Sequence, residues 1–198
     1  MERLSRSLHS DRGSAAVPFI FSLPIFLLIL AILVQYALIV NAKLLISHAA
    51  NTAARAAVTS LAEGHPENVS SAAYLSLAPV SPLATTAVHP QADLVYRAME
   101  NSGIAVAESF PARYTYAMEA ARVDWSPHQD DFTTSTGQPL EVTVSYRFHL
   151  TVPAAMRLIG LADTVAGVHG RFLNISSTSR VQTSHGRQVA ADDEGWPQ

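Results

Sequence analysis

Residues 12–58 read RGSAAVPFIFSLPIFLLILAILVQYALIVNAKLLISHAANTAARAAV, and this stretch decides the architecture. From Ala15 to Val34 it carries no charge, and only Ser22 is polar. A helix rising ~1.5 Å per residue would make this run ~30 Å long, the thickness of a bilayer's hydrocarbon core. After Pro24 the chain meets neither Gly nor Pro until Gly64. The helix is therefore expected to continue past the membrane as a stalk, to about Ala62. Pro18 and Pro24 each remove an internal hydrogen bond, so a bend is expected in the first part. Gln35 and Tyr36 are expected to mark the far membrane interface. From Asn41 the pattern turns amphipathic, with Leu44, Leu45, Ala49 and Ala53 set against Lys43, Ser47, Asn51 and Arg55. Gly64 reads as the helix cap, with Pro66 just beyond.

Two other readings of the apolar run fit less well. A cleaved signal peptide could use Val40 and Ala42 as its small-residue site, but its apolar core spans only ~7–15 residues. A buried core helix does not explain so few polar groups between Ala15 and Val40. The expectation is a retained anchor. Arg3, Arg6 and Arg12 precede it, against Glu2 and Asp11, while only Lys43 and Arg55 follow closely. The positive-inside tendency then leaves the N-terminus in the cytoplasm and exports the larger part.

Composition narrows the function. The 198 residues carry a net charge of −3, which gives no reason to expect nucleic acid as a partner. The absence of cysteine removes disulfides, thiolate nucleophiles and Cys-based zinc sites together. Asn68-Val69-Ser70 and Asn174-Ile175-Ser176 match a glycosylation triplet, a pattern common by chance.

The remaining chain divides into a lead (1–13), the transmembrane helix and stalk (14–62), an exported domain (63–184) and a polar tail (185–198). The tail holds Asp192-Asp193-Glu194 and is expected to be disordered. Within the domain, Pro66, Pro79, Pro82 and Pro90 fragment residues 64–90, leaving room for one short helix near Ser70–Leu77. Ala92, Val95, Tyr96 and Met99 recur at helical spacing after Pro90, and Asn101-Ser102-Gly103 closes that helix. Pro111 reads as opening a further helix through Tyr114, Ala117, Met118 and Ala121, and the same residues also fit an alternating strand. Leu140 to Val152 alternates strictly: Val142, Val144, Tyr146, Phe148, Leu150 and Val152 on one face, Glu141, Thr143, Ser145, Arg147, His149 and Thr151 on the other. This predicts a half-buried strand. Arg171–Thr183 reads as a weaker strand pairing with it antiparallel, and Ala121–Trp125 as a third. Ala154–Leu161 reads as one or two helical turns. The expected fold class is α+β: a long N-terminal transmembrane helix, then short helices and an antiparallel sheet.

The N-terminal order of Arg12-Gly13, Ala15-Ala16, Phe19, Leu23-Pro24, Tyr36 and the alanine run Ala49 to Ala57 around Arg55 resembles the TadE/TadG-like pilus-assembly family. Val144-Ser145-Tyr146-Arg147-Phe148, then Val152-Pro153 and a Ser/Thr-rich strand, is similar to the exported end of such proteins. These are membrane-anchored pseudopilins of tight-adherence (Flp-type) pilus systems. The resemblance implies a non-catalytic component of pilus assembly, a minor pseudopilin or accessory factor. It places the protein in a bacterial inner membrane with its domain in the periplasm. Its partners would be the lipid bilayer and other pilus-assembly membrane proteins or pilin subunits. It also implies a processing site for a prepilin peptidase at Gly13 and Ser14. Pilin-like precursors carry a glutamate five residues after the glycine, and here that position is Pro18. The carboxylate that pairs with a neighbour's amine in lipid is missing, which favours a membrane-resident factor over a major pilin.

Small residues four apart let another helix approach closely, so Ala49, Ala53 and Ala57, with Ala50 and Ala54, are candidate helix-packing positions; good helix propensity alone also explains them. His128-Gln129-Asp130-Asp131 reads as a solvated loop, not a metal site. His149 sits on a polar strand face, near His169 if the strands pair. Glu63 and Glu67 flank His65 without a partner nucleophile. Phosphate loops, nucleophile elbows and the metalloprotease helix motif are absent. No catalytic residue, cofactor, metal or small-molecule substrate is expected. The rival reading is a signal-anchored exported binding or sensor module unrelated to pili.

Overall fold

The computed structural model describes residues 16–61, 64–126, 139–152 and 159–182. It opens with α1 (Ala16–Ser60), a single helix of 45 residues that runs unbroken through Pro24. Gly64, at φ +79, ends the helical segment. The His65 N–H returns to the Ser60 carbonyl at 2.8 Å, the backbone closure a glycine in the left-handed region allows.

Three short helices follow: α2 (Glu67–Leu77), α3 (Pro90–Asn101) and α4 (Phe110–Ala120). Each begins at or next to a proline, whose missing N–H is harmless in a first turn. The helix expected at Ser70–Leu77 starts three residues earlier, and a 3-10 turn, Ala78–Val80, extends it. At α3, the His89 ring accepts from the Gln91 N–H at 3.2 Å, a capping role.

Four strands form one antiparallel sheet in the order β1-β2-β4-β3, with β1 at Ala121–Ser126, β2 at Pro139–His149, β3 at Leu161–Val165 and β4 at Val168–Gln182. Tyr146 pairs with Ala121 on one side and Ile175 on the other. The alternation read from the sequence holds: Leu140, Val142, Val144, Tyr146, Phe148 and Leu150 are all buried. They face α1 and α2, which lie on the inner side of the sheet. The outer face is polar. Glu141 and Arg180 pair across it at 3.0 Å, and Thr143 and Thr178 at 2.9 Å.

The fourth strand corrects the sequence reading. Leu161, expected to end a helical turn, opens β3; residues 153–158 lie outside the described segments. β3 turns into β4 through Ala166 (φ +51) and Gly167 (φ +76), a two-residue turn whose twist matches that of the paired strands. Alanine at the first turn position hid the signal, since Asn or Asp normally announces it.

Candidate functional site

The surface of α1 changes character at Gln35. From Phe19 to Val34 every side chain is exposed except the half-buried Ala31. Gln35 is the first buried one, and its Oε1 accepts the Val152 N–H at 3.0 Å. Sixteen residues further, Asn51 Oδ1 accepts from Ser179 Oγ at 2.7 Å. These two bonds pin the sheet to α1 at two heights. The part of α1 below Gln35 is therefore left uncovered by the rest of the chain, and α1, over Phe19–Ser60, is the one described helix long and apolar enough to cross a membrane.

Above Gln35, α1 has two unlike faces. Ala42, Ile46, Ala49, Ala50, Ala53, Ala54, Ala57 and Leu61 are fully or almost fully buried beneath α2, β2 and β4. The close approach that small residues permit is thus made by elements of this same chain. The opposite face leaves Tyr36, Val40 and Leu44 uncovered, one turn apart on the helix. Leu44, grouped with the packed alanines on sequence grounds, is 66% exposed. The hydrophobic core shared with α2, β2 and β4 takes the alanine side.

The burial of Gln35 reflects a strand end docking on it. The backbone N–H of Val152 has no strand partner at that point, so a side-chain acceptor on α1 satisfies it. Sequence reasoning missed both tethers, because Gln35 and Asn51 meet residues more than a hundred positions away.

The core is sealed by tyrosines. Tyr146 hydrogen-bonds Ser81 Oγ at 2.8 Å, and burial pushes its phenol up to about 12. Tyr116 packs edge-on against it at 6.3 Å and donates to the Arg147 carbonyl; burial raises its pKa as well.

The other candidate residues do not converge. His149 lies against the Phe172 ring at 5.3 Å, and burial lowers its pKa. His169 instead meets Thr164 Oγ1 at 2.7 Å. Glu67 pairs with His65 at 3.1 Å on the surface. On the outer sheet face, Arg122 holds Asp124 and Arg147 holds Asp163, each at 3.1 Å. Those charges pair with one another. Among the described residues, no three of His, Asp and Glu gather as a metal group. Gly13, Ser14, Glu63 and His128–Asp131 lie outside the described segments.

No curated protein and no solved structure matches the chain. One family model does, that of the TadE-like protein, and it aligns with residues 13–55. The match covers the apolar run and ends within the alanine-rich part of α1, the two regions that the exposure of α1 separates at Gln35. Residues 13–55 of this chain are thus similar to the TadE-like protein family, a match consistent with the TadE/TadG-like family of tight-adherence pili and one that supports a pilus-associated role.

Proposed function

We propose that this chain is a non-catalytic, single-pass component of tight-adherence pilus assembly, a minor pseudopilin or accessory factor. Its N-terminus faces the cytoplasm and its α+β domain stands on the outer side of the inner membrane. The observation that carries this reading is the division of α1. Its alanine face is occupied by the chain's own core, while Phe19–Val34 and then Tyr36, Val40 and Leu44 are left uncovered. An apolar helix face that continues above the bilayer is suited to packing against helices of other pilus-assembly proteins or pilins. It offers nothing to a soluble substrate.

Processing between Gly13 and Ser14 belongs to the same proposal. The peptidase would act at the cytoplasmic face, and Pro18 bears on assembly rather than on cutting. Intact-mass analysis of membrane-extracted protein reads the N-terminus directly; a start at Lys43 overturns the anchor.

The chain lacks cysteine, so a single Leu44→Cys variant reports only its own neighbours. In piliated cells it should crosslink to a second membrane protein of the pilus system, and deleting the gene should reduce piliation. Normal piliation in the deletion strain, with Leu44→Cys uncrosslinked, refutes the proposal. A phosphatase fused after Gln198 should be active; activity confined to a cytoplasmic reporter reverses the topology.

A further inference from the structure

A cleft of about 320 Å³ opens along one flank of α1, just above Gln35. Leu38 and Asn41 of α1 form one wall. Residues 79–82 and Arg113 of α4 form another, and Phe148, His149 and Thr151 at the end of β2 close it. Its height is set by α1 itself. Leu38 and Asn41 lie three and six residues past Gln35, ~4.5 and ~9 Å further along the helix. The β2 end agrees, because Thr151 immediately precedes Val152, whose N–H is bonded to Gln35. A bilayer's ~30 Å hydrocarbon core is flanked on each side by a headgroup layer ~5–7 Å deep. With the uncovered segment Phe19–Val34 in that core, Leu38 falls within the layer and Asn41 at its outer margin.

The charge of the cleft is one-sided. Arg113 is half-buried, and its Nη1 donates to the Ser81 carbonyl at 2.9 Å and the Pro79 carbonyl at 3.3 Å. Those bonds hold the guanidinium at the cleft wall. Arg97, Arg122, Arg147 and Arg180 each meet a carboxylate. Among the described residues Arg113 meets carbonyls only, and no Asp or Glu lines the cleft. The fork of Nε and Nη2 is left to donate, a geometry that suits two oxygens of a phosphate. We propose that this cleft binds the headgroup of an anionic phospholipid from the bilayer that α1 crosses. Arg113 pairs with the phosphate, Asn41 and Thr151 donate to it, and Leu38 and Phe148 lie against the glycerol backbone. The occupant is a lipid because one wall of the cleft is the anchor helix, at the height where phosphates lie. A lipid held there joins α4 to α1 and fixes how the domain sits over the membrane. The inference rests on the membrane-anchor reading above.

The test uses the full chain, purified in neutral detergent and stripped of lipid. Native mass spectrometry counts bound phosphatidylglycerol or phosphatidylcholine as each is titrated in. The wild type should hold one phosphatidylglycerol with an affinity roughly fivefold or more above that of Arg113→Gln, the loss expected for one basic side chain at a lipid surface. Arg113→Lys should recover part of it, and Asn41→Ala should weaken binding too. If Arg113→Gln loses its near-ultraviolet circular dichroism, Asn41→Ala decides, since Asn41 is exposed on α1. Phosphatidylglycerol bound equally by the wild type and the folded variants is lipid coating the apolar helix, and overturns the cleft. Phosphatidylcholine bound as tightly as phosphatidylglycerol overturns it as well. So does inorganic phosphate that displaces the lipid at the lipid's own concentration, which marks a site for soluble anions. The anchor is read separately, by flotation of the reconstituted chain with vesicles after a carbonate wash. Retention in the vesicles without a difference between variants refutes the cleft and leaves the anchor standing; release from the vesicles refutes both.

Discussion

Replacing Ala53 by leucine separates a core alanine from an interface alanine. Ala53 is fully buried, in the cluster formed by α1, α2 and the inner sheet face. Leucine adds three carbons where no exposed space remains. Helix propensity barely changes, since Ala and Leu are both good helix formers, so the effect isolates packing. Extra methylenes in a filled core cost about 1–3 kcal/mol. At roughly 2–4 °C per kcal/mol for a domain of this size, the midpoint should fall by about 2–12 °C. The assay is thermal unfolding of the detergent-solubilised full chain, followed by near-ultraviolet circular dichroism from its buried tyrosines. Leu44→Ala is the counterpart: its side chain is uncovered, so stability should change by no more than about 0.5 kcal/mol, while crosslinking to partners falls. An Ala53→Leu protein with an unchanged midpoint and lost crosslinking would refute the reasoning, because the alanine face would then belong to a partner and not to the sheet.

Gln35→Leu should leave the Val152 N–H without an acceptor at a cost of about 1–3 kcal/mol, and hydrogen exchange at Val152 should quicken while that at Val144 changes little. Gly170→Ala puts a methyl within 2.7 Å of His149 Cδ2; chemical denaturation should show a clear loss, relieved when His149→Ala is added, and additive losses would mean that the ring is not the obstacle. Tyr146 is displaced from its ordinary value of 10.0 to about 12, so its contribution is full below pH 10 and is lost as pH rises through about 12; Tyr146→Phe should flatten that alkaline fall in stability. His149 runs the other way. Burial holds its folded pKa below the ordinary 6.5, so its stability contribution is present above pH 6.5 and is lost as pH falls through the lower, folded value. His149→Gln should remove that acid-side slope.

What was legible in the sequence follows from local periodicity. An uncharged run such as Ala15–Val34 needs no partner to announce itself, because lipid alone explains it. The alternation in β2 likewise states which face is buried, since side chains of a strand point to opposite sides. Prolines 66, 90 and 111 with Gly64 and Gly103 marked where the helices begin and end, through backbone geometry that is local. The TadE-like resemblance was carried by the same first residues that the family model matches.

What covers a face is a different matter, and only the tertiary structure decided it. A stripe of alanines has the same composition whether it meets its own sheet or another protein's helix. Here Asn51 and Gln35 bind Ser179 and Val152, and those long-range bonds lay the sheet along the alanine side. That docking leaves Leu44, Val40 and Tyr36 outside, although their periodicity suits either side. β3 was hidden for a related reason. Five residues, Leu161–Val165, four of them exposed, carry little pattern of their own and are ordered by pairing with β4. Hydrophobic spacing states that a face must be covered; the contacts that cover it come from distant parts of the chain.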